Sequence, residues 1–213
     1  MTTALEALQR LREGNKRFVS RMRGLSSAGG AKLPPEMPKE QNPFAIILGC
    51  SDSRVPAELV FDQGLGDLFV VRVAGNIVAP SQVGSVEFAA ETFGAQLVVV
   101  LGHTECGAIL ATLQQLQEPS ENQSPNLKSI VDRIRPSVRS LLQTELRDDL
   151  DKLAAHAVRA NVAMSVDHLR HGSAILEQLI QEESLLVIGA EYSLETGEVD
   201  FFDGVPDDAQ TNG

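Results

Sequence analysis

The sequence predicts an α/β fold: a mainly parallel β-sheet flanked by helices, with an N-terminal helical arm and a C-terminal antiparallel edge hairpin. Three observations carry this. Four short, β-rich runs, FAIILG (44–49), DLFVVRV (67–73), LVVVLG (97–102) and SLLVIGA (184–190), are bounded by glycine or charge, as strands buried on both faces are. Helical segments between them are long enough to cross over and return parallel. Finally, 213 residues with 43% hydrophobic and 22% charged side chains fit one domain with appended elements and a substantial core.

Residues 3–19 place Ala4, Leu5, Leu8, Leu11 and Phe18 at helical spacing, with Gly14 and Asn15 as a weak spot. From Ser20 to Pro43 the chain collects glycines, serines and four prolines, which propagate neither helix nor strand. Structureless stretches of that length are uncommon inside a compact domain, so residues 1–43 are expected to be a helix and an arm that wraps a second subunit. The domain proper is expected over 44–203. Its crossover helices are VPAELVFD (55–62), QVGSVEFAAETFG (82–94) and CGAILATLQQLQ (106–117). A polar break after Pro119 precedes a helical stretch from Leu127 to about His171, and a further helix runs through Ile175 and Leu179. EYSLETGEVDFFD turns at Thr196 and Gly197 between β-prone flanks, which predicts the edge hairpin. Residues 204–213 are expected to be a frayed tail.

Charge and composition exclude several classes. The net charge of −11 repels a phosphate backbone, so nucleic acid is not an expected partner, and the local Lys16, Arg17, Arg21, Arg23 group reads as a solvated or interface face. Apolar runs such as 44–48 and 97–101 are five residues long, far short of a membrane span. Glu6, Arg10, Arg12 and Glu13 interrupt any export signal, and two cysteines are too few for a secreted disulfide framework. The expectation is a cytoplasmic protein.

In an open parallel sheet, ligands bind beyond the carboxyl ends of the strands. The first strand runs into Cys50, Ser51, Asp52, Ser53 and Arg54, and the third into His103, Thr104, Glu105 and Cys106. If these strands are neighbours, the only two cysteines and one histidine meet on one rim, a soft and borderline donor set that suits zinc. A structural zinc site is normally closed by four protein ligands, so three leave a position for water. Two thiolates and a neutral imidazole cancel the charge of the ion, which makes that water less acidic than on three imidazoles, and a neighbour has to help. Asp52 can accept a proton in a hydrogen bond there, and Arg54 can grip the same carboxylate with its planar fork. Without Arg54, Asp52 is itself a good fourth ligand.

Cys50-Ser-Asp52-Ser-Arg54-Val, followed 53 residues later by His103-Thr-Glu-Cys106-Gly107, resembles the β-class carbonic anhydrases, from about Gln41 through Asp203. The resemblance implies reversible hydration of carbon dioxide to bicarbonate, one Zn2+ per chain on Cys50, His103 and Cys106, and an Asp52/Arg54 dyad that orients the nucleophile. It implies a homodimer or higher even oligomer with the active site at the interface, and a substrate pocket of Gln41, Phe69, Phe88 and Gly107, the first three supplied by the neighbouring subunit. Phe88 stands where plant-type members carry a tyrosine. Ile47 stands where the bicarbonate-regulated bacterial subtype carries a tryptophan, which favours the plant-like, open subtype (type I), although Arg72, which that regulatory pocket also uses, is present.

Other features are weaker. His168 and His171 with Asp167, and His156, read as a solvated helix face, and Gly64-Leu-Gly66 as a turn without the third glycine of a dinucleotide fingerprint. Three rival functions stand beside the main one: hydrolysis of carbonyl sulfide or carbon disulfide on the same site, a zinc- or thiol-redox module without turnover, and a non-catalytic scaffold. Dithiol spacing disfavours the redox module, because catalytic pairs usually sit in Cys-x-x-Cys.

Overall fold

The computed structural model describes residues 2–24, 39–119 and 124–207. Within these, five strands form one sheet: β1 (Ala45–Gly49), β2 (Leu68–Arg72), β3 (Leu97–His103), β4 (Leu186–Tyr192) and β5 (Val199–Asp203). The order is β2-β1-β3-β4-β5, parallel except for the antiparallel β4–β5 pair. Gly49 is level with Leu101, so β1 and β3, adjacent in the sheet, end on the same rim. The edge hairpin forms where expected, turning through Gly197 at φ +75°.

The sheet is sandwiched. On one face Ile47, Val99, Leu101 and Ile188 pack with Leu8 and Leu11 of α1 (Ala4–Met22) and with Phe61 beyond α2 (Ala57–Val60). On the other, Ile46, Leu48, Val98 and Val100 meet α3 (Pro80–Phe93), α6 (Leu150–His171) and α7 (Ala174–Gln181) through Val86, Val162, Val166, Leu169 and Leu176. Alternate side chains of β1 and β3 thus enter opposite layers, which is why these runs are continuously apolar. A third cluster, around Cys50, Cys106 and Ile77, is closed by α4 (Gly107–Gln117), α5 (Pro125–Val138) and Leu153, Ala157 and Val158 of α6.

Two local expectations change. The segment 55–62 is a single turn, with Pro56 at its N-cap and Asp62 at φ +49° beyond it. The stretch from Leu127 to His171 is α5 and α6 separated by two short 3-10 turns. Thr144 and Asp149 take extended backbone there, and their side chains accept from Leu146 N (3.3 Å) and Lys152 N (3.1 Å) as new N-caps.

The weak spot at Gly14 and Asn15 is instead a joint. A capping box between Thr3 and Glu6 starts α1, which runs unbroken to Met22. A Cβ at Gly14 would collide with the Phe61 carbonyl, so glycine lets the helix press on the α2 turn. Asn15 donates to Val60 O (3.1 Å) and Gly197 O (2.8 Å) and accepts from Val199 N (2.9 Å), tying α1 to the hairpin. Residues 25–38 of the predicted arm and 208–213 of the predicted tail lie outside the described residues.

Candidate metal centre

Cys50 follows the last residue of β1, His103 ends β3, and Cys106 is the N-cap of α4, three residues on. Glu105, at φ +57°, makes the tight turn that swings Cys106 back towards His103. The donor atoms of the three residues all lie within 4.8 Å of one another, and the sulfurs are 4.0 Å apart. All three side chains are buried; His103 has no exposed surface. The described residues contain no other such group of histidine, cysteine or carboxylate donors, so His156, His168 and His171 form none.

The imidazole carries the test of whether a metal fits. Its Nδ1–H donates to the Thr104 carbonyl at 2.8 Å, which leaves the Nε2 lone pair facing the sulfurs. Nε2 is buried and has no hydrogen-bond partner. A buried lone pair normally finds a donor; here two sulfurs and Nε2 converge on a shared space instead, as three ligands of a tetrahedral ion do. The residues therefore fit a zinc-type metal. A hydrogen bond from Cys106, with one from the Gly75 N–H, pulls the Cys50 thiol down against its burial, while the neighbouring Cys50 sulfur and burial push Cys106 up.

Asp52 stands beside this group, its Oδ2 3.9 Å from Nε2. Arg54 grips it with both prongs, Nε to Oδ1 at 3.0 Å and one Nη to Oδ2 at 2.9 Å, and its backbone N–H adds a third bond to Oδ1 at 2.9 Å. That grip holds the Asp52 carboxyl far below the usual carboxylate range. The remaining Arg54 nitrogen reaches Glu105 Oε2 at 3.5 Å.

Two residues near the Cys50 loop carry weight that spacing did not reveal. Arg72, at the end of β2, donates to Cys50 O (2.9 Å) and Asp52 O (2.6 Å), clamping the loop from the neighbouring strand. Gly75 N donates to Cys50 Sγ at 3.3 Å. The sequence signal for the second was the Ala-Gly-Asn run between a strand and a helix, where Gly75 and Asn76 both adopt positive φ.

The expected pocket residues divide. Gly107 opens α4 beside Cys106, with empty space where a Cβ would be. Phe69 and Phe88 are together, with ring centroids 6.2 Å apart, and Phe93 completes the cluster at 6.0 and 5.7 Å. Phe69, however, is in register with Ile46 on an edge strand, about 13 Å before the level of Cys50 at the usual rise per residue. These rings therefore lie away from their own chain's metal group. Gln41 is exposed ahead of β1.

Two sulfurs, an imidazole and a tethered carboxylate at the carboxyl rim of a mainly parallel sheet fit a metalloenzyme centre of the water-activating kind. The family model described as carbonic anhydrase matches residues 45–199. The carbonic anhydrase of Mycolicibacterium smegmatis is 37% identical over 194 residues, 91% of each chain. Carbonic anhydrase 2 of Mycobacterium tuberculosis is 36% identical, covering 92% of this chain and 91% of that one. Among solved structures, the β-carbonic anhydrase CafA of Aspergillus fumigatus superposes with a TM-score of 0.68 at 27% identity, over 79% of this chain and 80% of that one. The chain belongs to the carbonic anhydrase family, in its β class.

Proposed function

We infer that this chain catalyses the reversible hydration of carbon dioxide to bicarbonate and a proton, with one zinc ion on Cys50, His103 and Cys106. The observation that carries this is the buried, unpartnered Nε2 of His103 facing two sulfurs. Zinc there supplies the Lewis acidity that makes a water reactive near neutral pH. Asp52 would accept the hydrogen bond that orients the nucleophile, and Arg54 engages both its oxygens. This favours water as the fourth ligand and the open, plant-like subtype. Ile47 is fully buried in the core, and Arg72 is engaged on backbone carbonyls.

The site reads as completed by a second copy. Phe88 is 52% exposed beside Phe69 and Phe93 on the unpaired β2 edge, an apolar patch that a partner would cover. In that dimer Gln41, Phe69 and Phe88 of one protomer wall the other's substrate pocket, Gly107 gives the substrate room, and residues 1–43 embrace the partner while 44–203 form the enzyme domain. No helix among the described residues is long and apolar enough to cross a membrane.

Stopped-flow assay of carbon dioxide hydration by zinc-loaded protein tests the reading. Fast hydration, with carbonyl sulfide and carbon disulfide turned over slowly, is the expected result. Hydrolysis of those two without hydration would assign the site to the sulfur substrates, and intact zinc with no turnover of any would leave a non-catalytic module.

A further inference from the structure

The two sulfurs of the centre differ in their backbone donors. Cys106 is the N-cap of α4, and its side chain makes no capping hydrogen bond there. Cys50 receives its N–H from Gly75, in a turn between β2 and α3 that is remote from it in sequence. That turn is an unusual one. Gly75 sits at φ +70° with no room for a side chain: a Cβ would lie 2.9 Å from Ile134 Cδ1 and 3.1 Å from Ala108 Cβ. Asn76 follows at φ +41°.

Two buried residues of α6, one helical turn apart, hold it there. Asn161 Nδ2 donates to Gly75 O at 2.8 Å, and Ser165 Oγ donates to Asn76 O at 3.1 Å. Both side chains are enclosed, with 2% and 4% exposure. Asn161 thus holds the carbonyl of the very residue whose N–H meets the Cys50 sulfur.

We propose that Asn161 is a positioning residue for the metal centre: by holding the Gly75 carbonyl it fixes the Gly75 N–H on Cys50 Sγ, and so limits the charge this sulfur gives to a bound metal. The need is electrostatic. Two thiolates and a neutral imidazole cancel the charge of a divalent ion and blunt its Lewis acidity. An N–H donated to a sulfur draws electron density back from it, and such outer contacts tune the metal they never touch. Ser165 braces the same turn one peptide further on, so its share is smaller. The hydrogen bonds of both side chains go to the turn and not to Cys50, His103 or Cys106.

This rests on the zinc reading, and cobalt(II) separates the two. The full-length parent loaded with cobalt(II) shows a thiolate-to-metal charge-transfer band; absence of that band overturns the metal reading and this proposal with it. Asn161→Leu, which keeps the volume and removes the donor, moves the band to longer wavelength as Cys50 becomes the stronger donor. In the zinc form its kcat/KM falls roughly 10-fold with zinc still at one per chain. Ser165→Ala moves both readouts the same way by less, and it decides alone if Asn161→Leu does not fold. Bands that superimpose on the parent's in the folded variants, whether or not activity falls, show that Asn161 only supports the fold and overturn the proposal.

Discussion

The two halves of the metal centre are held by different means. The His103–Cys106 half is held mainly by its own loop: the Thr104 carbonyl fixes the imidazole and Cys106 caps α4, with one link from afar, Thr104 Oγ1 accepting from Leu194 N at 3.0 Å. The Cys50–Asp52 half is held by side chains and turns from elsewhere: Arg72 from β2, Gly75 from the turn after it, and Arg54 folding back on Asp52. On the proposed reading, changes to the contacts around Cys50 and Asp52 should alter rate before they alter metal content.

Removing a ligand should have the largest effect and should not respect the division. Cys106→Ala and Cys50→Ala are each expected to lose zinc and all measurable hydration, and to lower the melting temperature, since metal binding energy is in part folding energy. Elemental analysis with a thermal scan checks this; stoichiometric zinc in Cys106→Ala would remove Cys106 from the site.

Arg54→Ala comes next. It frees a carboxylate already 3.9 Å from the His103 Nε2 position, and carboxylate oxygen is an ordinary zinc ligand at about 2.0 to 2.2 Å. Hydration should drop by about 100-fold, in the range of other electrostatic deletions, while zinc stays at one per chain. Arg54→Lys should recover only part of this, offering a point charge in place of a fork. Unchanged turnover in Arg54→Ala would reduce the pair to an ordinary surface contact.

Arg72→Ala leaves two loop carbonyls without their donor and should cost roughly 10-fold in kcat with zinc retained, as outer contacts to metal sites do. Zinc loss in this variant would show that the contacts around Cys50 set ligand position. The smallest catalytic effect is expected from Thr104→Val on the other half. It strips the acceptor of Leu194 N and should cost about 1 to 3 kcal/mol of stability by chemical denaturation, with turnover close to the parent's. A large fall in turnover without loss of stability would contradict the division.

The sequence made one half more legible than the other. His103 and Cys106 are three residues apart at a strand end, and Cys50, Asp52 and Arg54 alternate after another, so spacing gave two groups at strand ends, and the β1–β3 pairing puts them on one rim. The strands were equally plain, because β1 and β3 are apolar on both faces and need no partner information to be recognised. What spacing could not show is packing between distant elements. Asn161 and Ser165 read as unremarkable polar positions on a long helix until α6 is laid across the turn at Gly75. Gly14 and Asn15 looked like a helix weakness for the same reason; their partners, Phe61, Gly197 and Val199, come from other parts of the fold. The break between α5 and α6 was within reach of the sequence, since Thr144 and Asp149 are ordinary N-cap residues inside that stretch.

The central claim is a three-ligand centre whose carboxylate is kept off the metal by Arg54. X-ray absorption at the zinc edge, on fully loaded and active protein in neutral buffer, tests it most directly. The expected shell in the parent is two sulfurs, one imidazole nitrogen and one water oxygen that exchanges with small anions, with a carboxylate replacing that water only in Arg54→Ala. A carboxylate oxygen already bound in the active parent, or a shell with a single sulfur, would contradict it.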